Sequence, residues 1–127
     1  MSAPAGDVYD WYVRGVELLS TGNPAAAAAL LARASAAEPA SRQLRETLGR
    51  AQYDSGDYAA ARASFGELVE ADPADDYARF GLGMAALRTG DLDLAVGSLT
   101  LAVAMRPDNR HYTLALRRAR ATASARG

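Results

Sequence analysis

Leu48-Gly49-Arg50-Ala51-Gln52-Tyr53-Asp54-Ser55-Gly56-Asp57-Tyr58, with Ala61, Phe65 and Pro73 after it, decides the fold. Moving outward by 34 residues in either direction finds the same landmarks again. Gly49 repeats as Gly15 and Gly83, and Gly56 as Gly22 and Gly90. Ala61 repeats as Ala27 and Ala95, and Pro73 as Pro39 and Pro107. Four registers sharing one period are not an accident of composition, even with 30 alanines among 127 residues. The units are 8–41, 42–75 and 76–109, preceded by a flexible segment 1–7 and followed by 110–127. A period of this length marks stacked supersecondary units within one domain.

Each unit reads as two helices. Thr21-Gly22-Asn23, Ser55-Gly56-Asp57 and Thr89-Gly90-Asp91 are turns whose glycine supplies the left-handed residue that ends a helix. Asn23, Asp57 and Asp91 then serve as N-caps of the second helix, and Pro24 suits the first helical position. Glu38-Pro39, Asp72-Pro73 and Arg106-Pro107 end that second helix, because the residue before proline avoids the α region. Leu44, Leu48 and Ala51 follow a helical period, as do Phe65, Leu68 and Val69. The expected helices are 7–21, 24–37, 42–55, 58–71, 76–89, 92–105 and 110–123. Gly15, Gly49 and Gly83, opposite Ala27, Ala61 and Ala95, let paired backbones approach closely. With Gly81, Gly83 and Gly97, the third unit is expected to be the loosest.

The pattern resembles the tetratricopeptide repeat (TPR), W-x2-L-G-x2-Y…A-x3-F…P. Trp11 and Gly15 fit it in the first unit; Leu48-Gly49, Gly56-Asp57-Tyr58, Ala61, Phe65 and Pro73 fit it in the second. Leu82-Gly83, Gly90-Asp91, Ala95, Leu99 and Pro107 fit it in the third. The departures are Arg14 in place of Leu, Arg45 and Arg79 in place of Trp, and Leu31 and Leu99 in place of the aromatic. The resemblance implies an all-α, right-handed solenoid of seven helices, the last a solvating C-terminal helix.

Composition narrows the functions further. All 14 basic residues are arginine and oppose 15 acids, a net charge of −1. That balance gives the whole chain no attraction for nucleic acid or an anionic membrane, and neither is expected as a partner. There is no cysteine and one histidine, so thiol chemistry, disulfides and a zinc site are not expected. No cofactor, metal or catalytic residue is assigned, because no pair of groups with complementary chemical roles converges. The first residues lack the basic and apolar regions of a signal peptide, and no apolar run is long enough to span a membrane. A cytoplasmic, non-enzymatic protein is expected.

Some motifs imitate chemistry. Gly81-Leu82-Gly83-Met84-Ala85-Ala86 matches a dinucleotide fingerprint, but it lies mid-helix with no strand before it. Asp75-Asp76 and Asp91/Asp93 open helices, where capping accounts for carboxylates. Residues 106–127 hold six arginines against Asp108, a net of +5, which leaves −6 on the rest. The C-terminal helix is thus a solvated cap or a second binding surface, and Tyr112 is the one aromatic among its arginines.

The resemblance also implies that positions 2, 5, 9 and 12 of each unit line a concave groove. Tyr9, Tyr12, Val16 and Leu19 hold them in the first unit, Gln43, Glu46, Arg50 and Tyr53 in the second. Tyr77, Phe80, Met84 and Leu87 hold them in the third, continued by His111 and Leu114. Helical spacing agrees, since Tyr9, Tyr12 and Val16 share one face, as do Tyr77, Phe80 and Met84. Tyr, Phe and Met around an Arg–Glu pair have the composition of an interface. The expected function is a protein-interaction adaptor that takes an apolar or aromatic-anchored peptide or helix in this groove. The alternative is self-association, as a homodimer or head to tail, through the same face or the basic helix. The family's carboxylate-clamp ligands are not expected, because the clamp positions hold Tyr12, Val16, Thr47, Tyr77 and Gly81.

Overall fold

The computed structural model describes residues 6–126. Seven helices follow one another: α1 (Gly6–Ser20), α2 (Pro24–Ala37), α3 (Arg42–Asp54), α4 (Tyr58–Ala71), α5 (Asp76–Thr89), α6 (Leu92–Met105) and α7 (Arg110–Arg126). Of the segment 1–7 expected to be flexible, residues 1–5 lie outside the described part, and Gly6 and Asp7 open α1.

The turns form as their residues dictate. Gly22, Gly56 and Gly90 have φ of +84°, +89° and +87°. The residue after each glycine does two jobs. The Asn23, Asp57 and Asp91 amides reach back to the carbonyls of Leu18, Gln52 and Ala86 at 2.8–3.0 Å, closing the first helix. The Asp57 and Asp91 carboxylates then accept from the Ala60 and Leu94 amides at 3.3 and 3.1 Å, opening the second. Asn23 departs from the expectation. Its amide is turned back to donate to Thr21, so α2 begins on Pro24 without a side-chain cap.

Consecutive helices pack antiparallel around apolar stripes, and α1 touches α3, α3 touches α5, and α5 touches α7. Among the described residues α2, α4 and α6 do not meet one another. First helices in mutual contact, with second helices splayed apart, bend the array so that α1, α3, α5 and α7 line its inner side. The result is an all-α, right-handed solenoid.

Side-chain size governs the stacking. A Cβ on Gly15 would lie 2.6 Å from Leu31, one on Gly49 3.0 Å from Phe65, and one on Gly83 2.6 Å from Leu99. Phe65 reaches further than the two leucines, and a Cβ on Gly81 of the next pair would sit 2.6 Å from its ring. The expectation of looseness is therefore corrected at Gly81, where the missing side chain is room that the Phe65 ring fills. It also explains the dinucleotide look-alike, whose glycines are contact points within α5.

Polar links replace the missing apolar wedges. Arg45 pairs with Glu67 and reaches the Pro39 carbonyl, and Arg79 donates to the Pro73 carbonyl at 3.1 Å. Trp11 instead lies under the Arg33 guanidinium at 4.5 Å. Asp75 caps α5 through the Ala78 amide and pairs with Arg42 of α3. Asp76 stands in the first turn of α5, as the sequence reading expects, and has a second role that reading did not include. Its carboxylate accepts the Tyr112 hydroxyl at 2.6 Å and faces Arg106 at 3.5 Å, tying α7 to α5.

Candidate functional site

The trough on the inner side is built by first helices, whose residues one and two turns apart project together. Its floor begins between α1 and α3, where Gln43 Nε2 donates to Tyr12 Oη at 2.8 Å. A pocket of about 210 Å³ lies between α3 and α5, walled by Tyr53, Tyr77, Phe80 and Met84, with Phe65 and Gly81 behind and Arg50 and Asp54 at the rim. A second pocket of about 220 Å³ lies between α1 and α3, lined by Tyr12, Val16, Leu19, Ser20 and Thr47, again with Arg50 and Asp54. These two charged residues form the ridge between the pockets. Glu46 lines a shallower depression with Arg50 and Tyr77.

The walls are held from behind. Phe65, Tyr77, Phe80 and Tyr112 form a chain of ring contacts at 6.0, 6.0 and 4.9 Å. Tyr53 meets Tyr58 edge-on at 5.0 Å, and Arg88 lies over both rings while donating to the Tyr58 hydroxyl at 2.9 Å. Such rings lose little freedom when a ligand settles on them.

Of the residues singled out from sequence, Tyr12 and Val16 come together in one pocket and Arg50, Tyr53, Tyr77, Phe80 and Met84 in the other. Tyr9 stands apart, 68% exposed, in a depression on α1 with Asp10, Val13 and Arg14. His111 is exposed on α7 and lines neither pocket. Sequence reasoning missed Asp54, although its place one turn after Arg50 on the same face was a usable signal. It also missed the back wall, because Phe65 belongs to a second helix and enters only through the gap at Gly81.

The Glu46 carboxyl has a pKa above the usual 4.5. Burial is the main cause, and the Asp75 charge adds to it against the pull of Arg50 and Arg42. A carboxyl raised in the folded state contributes stability below its unfolded pKa and loses it as pH rises through the folded value. Glu46→Gln is therefore expected to raise the melting temperature near neutral pH. The gap to wild type should close below about pH 4 in a thermal melt series; a gap that persists in acid would rule out the ionisation as its source.

No three His, Asp or Glu side chains among the described residues are placed to hold a metal ion. No helix there is long and apolar enough to cross a membrane. The trough offers apolar wells with a charged ridge between them.

Two family models described as tetratricopeptide repeat match the chain, one over residues 46–110 and one over 18–64. The chain belongs to the tetratricopeptide repeat family. No curated protein matches its sequence. Among solved structures, the TPR chain is similar to the first TPR of Spaghetti (RPAP3) bound to HSP90 peptide SRMEEVD. That match has a TM-score of 0.85 and 16% identity over 96% of this chain and 97% of that one. It is similar to the second TPR domain of human RPAP3 in complex with HSP70 peptide SGPTIEEVD, with TM-score 0.83, 19% identity, and coverage of 93% and 98%. MamA from MSR-1 matches with TM-score 0.83 and 26% identity over 98% of this TPR chain and 71% of that one.

Proposed function

We propose that this TPR chain is a non-enzymatic protein-interaction module whose concave trough binds a peptide or helix by an apolar or aromatic anchor. The pocket between α3 and α5 carries the reading: its volume of about 210 Å³ suits one large side chain, and four apolar or aromatic residues wall it. Arg50 takes no part in the ion pairs among the described residues, so it is available to a carboxylate or carbonyl beside the anchor. Asp54 on the same ridge can accept a backbone or side-chain N–H. Tyr12 and Val16 would take a second anchor in the neighbouring pocket. Tyr9 and His111 would be reached only by a longer ligand.

The TPR relatives described above bind the HSP90 and HSP70 peptides named with them. A ligand of the carboxylate-clamp kind does not fit this chain's residues. The clamp positions hold Tyr12, Val16, Thr47, Tyr77 and Gly81, and none of these side chains carries the cationic or amide group that would grip a terminal carboxylate. The test is selection of peptides from a random displayed library, followed by affinity measurement on Met84→Arg, which puts a charge in the pocket. Selected peptides should share one large apolar residue, and their affinity should fall at least about tenfold, or 1.4 kcal/mol. Peptides that bind the folded variant unchanged would overturn the reading.

A further inference from the structure

Large apolar side chains exposed among the described residues are few: Tyr9, Val13 and Val16 on α1, Leu101 on α6 and Leu114 on α7. Four of these five sit on the two terminal helices, and each set has charges of one dominant sign around it.

On α1 the outward face holds Asp10, Val13, Arg14 and Glu17. In the next pair the corresponding positions are Leu44, Thr47, Leu48 and Ala51, all buried beneath the preceding second helix. Val13 is 42% exposed where Thr47 is buried. The face therefore has an apolar strip edged by Asp7, Asp10 and Glu17 against Arg14, and it is net acidic. On α7 the residues Tyr112, Ala115, Leu116 and Ala119 are buried, and Arg110, Leu114, Arg117 and Arg118 are exposed. Arg117 stands where Gly15, Gly49 and Gly83 admit a second helix, so no helix of that kind can seat there. Arg110, Arg117, Arg118, Arg120 and Arg126 make no ion pair among the described residues.

We infer that the outer face of α7 docks on the outer face of α1 in a second copy of this chain, head to tail. Leu114 meets the strip of Tyr9 and Val13, and Arg117 and Arg118 meet Asp10 and Glu17. The two faces match in both respects that decide such a contact: each has an apolar centre, and the surrounding charges are opposite. The contact is heterologous, so every copy keeps one free end and the assembly is open. One helix against one helix is smaller than a standard interface, so association is weak and concentration-dependent. Its exposed charges make it weaken with salt.

Light scattering over a wide dilution series tests this. In low salt the mass should climb from the monomer's 13.3 kDa past the dimer as concentration rises, and should fall back in high salt. Val13→Arg alone and Leu114→Arg alone should each stay monomeric, because each removes one half of the contact. Mixed in equal amounts they should form a dimer and nothing larger, since one intact head and one intact tail remain. Both positions are exposed, and circular dichroism should show unchanged helix content. Met84→Arg, which disables the trough, should assemble like the wild type. A wild type that is monomeric at every concentration overturns the inference. So does a single variant that still dimerises, or an assembly abolished by Met84→Arg.

Discussion

Tyr112→Ala is expected to lower the stability of the protein by about 3–5 kcal/mol, the range for truncating a buried aromatic side chain. The ring is only 4% exposed, stacks on Phe80 at 4.9 Å, and sends its hydroxyl to Asp76 at 2.6 Å. Truncation opens a cavity under α7 and leaves Asp76 with only the longer contact to Arg106. Hydrogen exchange should then show α7 losing protection ahead of the other helices, since an end unit is held by one neighbour. Tyr112→Phe separates the hydroxyl from the ring and should cost about 1.5–3 kcal/mol, the range for a hydrogen bond to a charged group. Burial, and next the bond to Asp76, raise the phenol's pKa well above 10. Its contribution is therefore whole below the unfolded pKa of about 10 and is lost as pH climbs beyond it. Wild type should lose its advantage over Tyr112→Phe in alkaline melts, and two curves that stay parallel there would contradict the assignment.

The second large effect runs against helix propensity. Alanine is a better helix former than glycine by about 1 kcal/mol, yet Gly81→Ala is expected to destabilise by about 1–3 kcal/mol. The new methyl would meet Phe65 Cδ1, Cε1 and Cγ at 2.6–2.7 Å, and the opposite edge of that ring is already 3.0 Å from where a Cβ on Gly49 would stand. The ring lies between the two helices, so moving off the new methyl carries it toward Gly49. The residues equivalent to Gly81 are Thr47 and Ala115, which carry side chains where the preceding second helix presents Leu31 or Leu99. Phe65→Leu should therefore rescue Gly81→Ala. The double variant should be more stable than the sum of the two single losses by at least about 1 kcal/mol in denaturant melts. Additive losses would mean that the ring and the glycine do not answer to each other.

The helices are almost wholly legible in the amino-acid sequence, because their boundaries are written in local chemistry. A left-handed glycine, a carboxylate able to cap and a proline that stops the helix act within a few residues of themselves. The glycine and the proline recur three times at one spacing and the capping carboxylate twice, as Asp57 and Asp91, and together these signals set the pairing and the array. The trough is legible in outline for the same reason, since residues on one helical face stay together wherever the helix goes.

What the sequence could not decide is which faces close on one another. Asp76 reads as a cap from its neighbours, and only the approach of α7, 36 residues later, makes it the partner of Tyr112. Gly81 reads as slack until Phe65 is seen filling it, and the pocket owes its back wall to that same ring. Tyr9 and Tyr77 hold equivalent places, yet the first is exposed and the second lines the pocket. Periodicity describes a helix and its face, whereas burial and cavity shape depend on distances between helices. Those distances follow from the summed sizes of side chains far apart in the chain, and only the folded molecule reveals them.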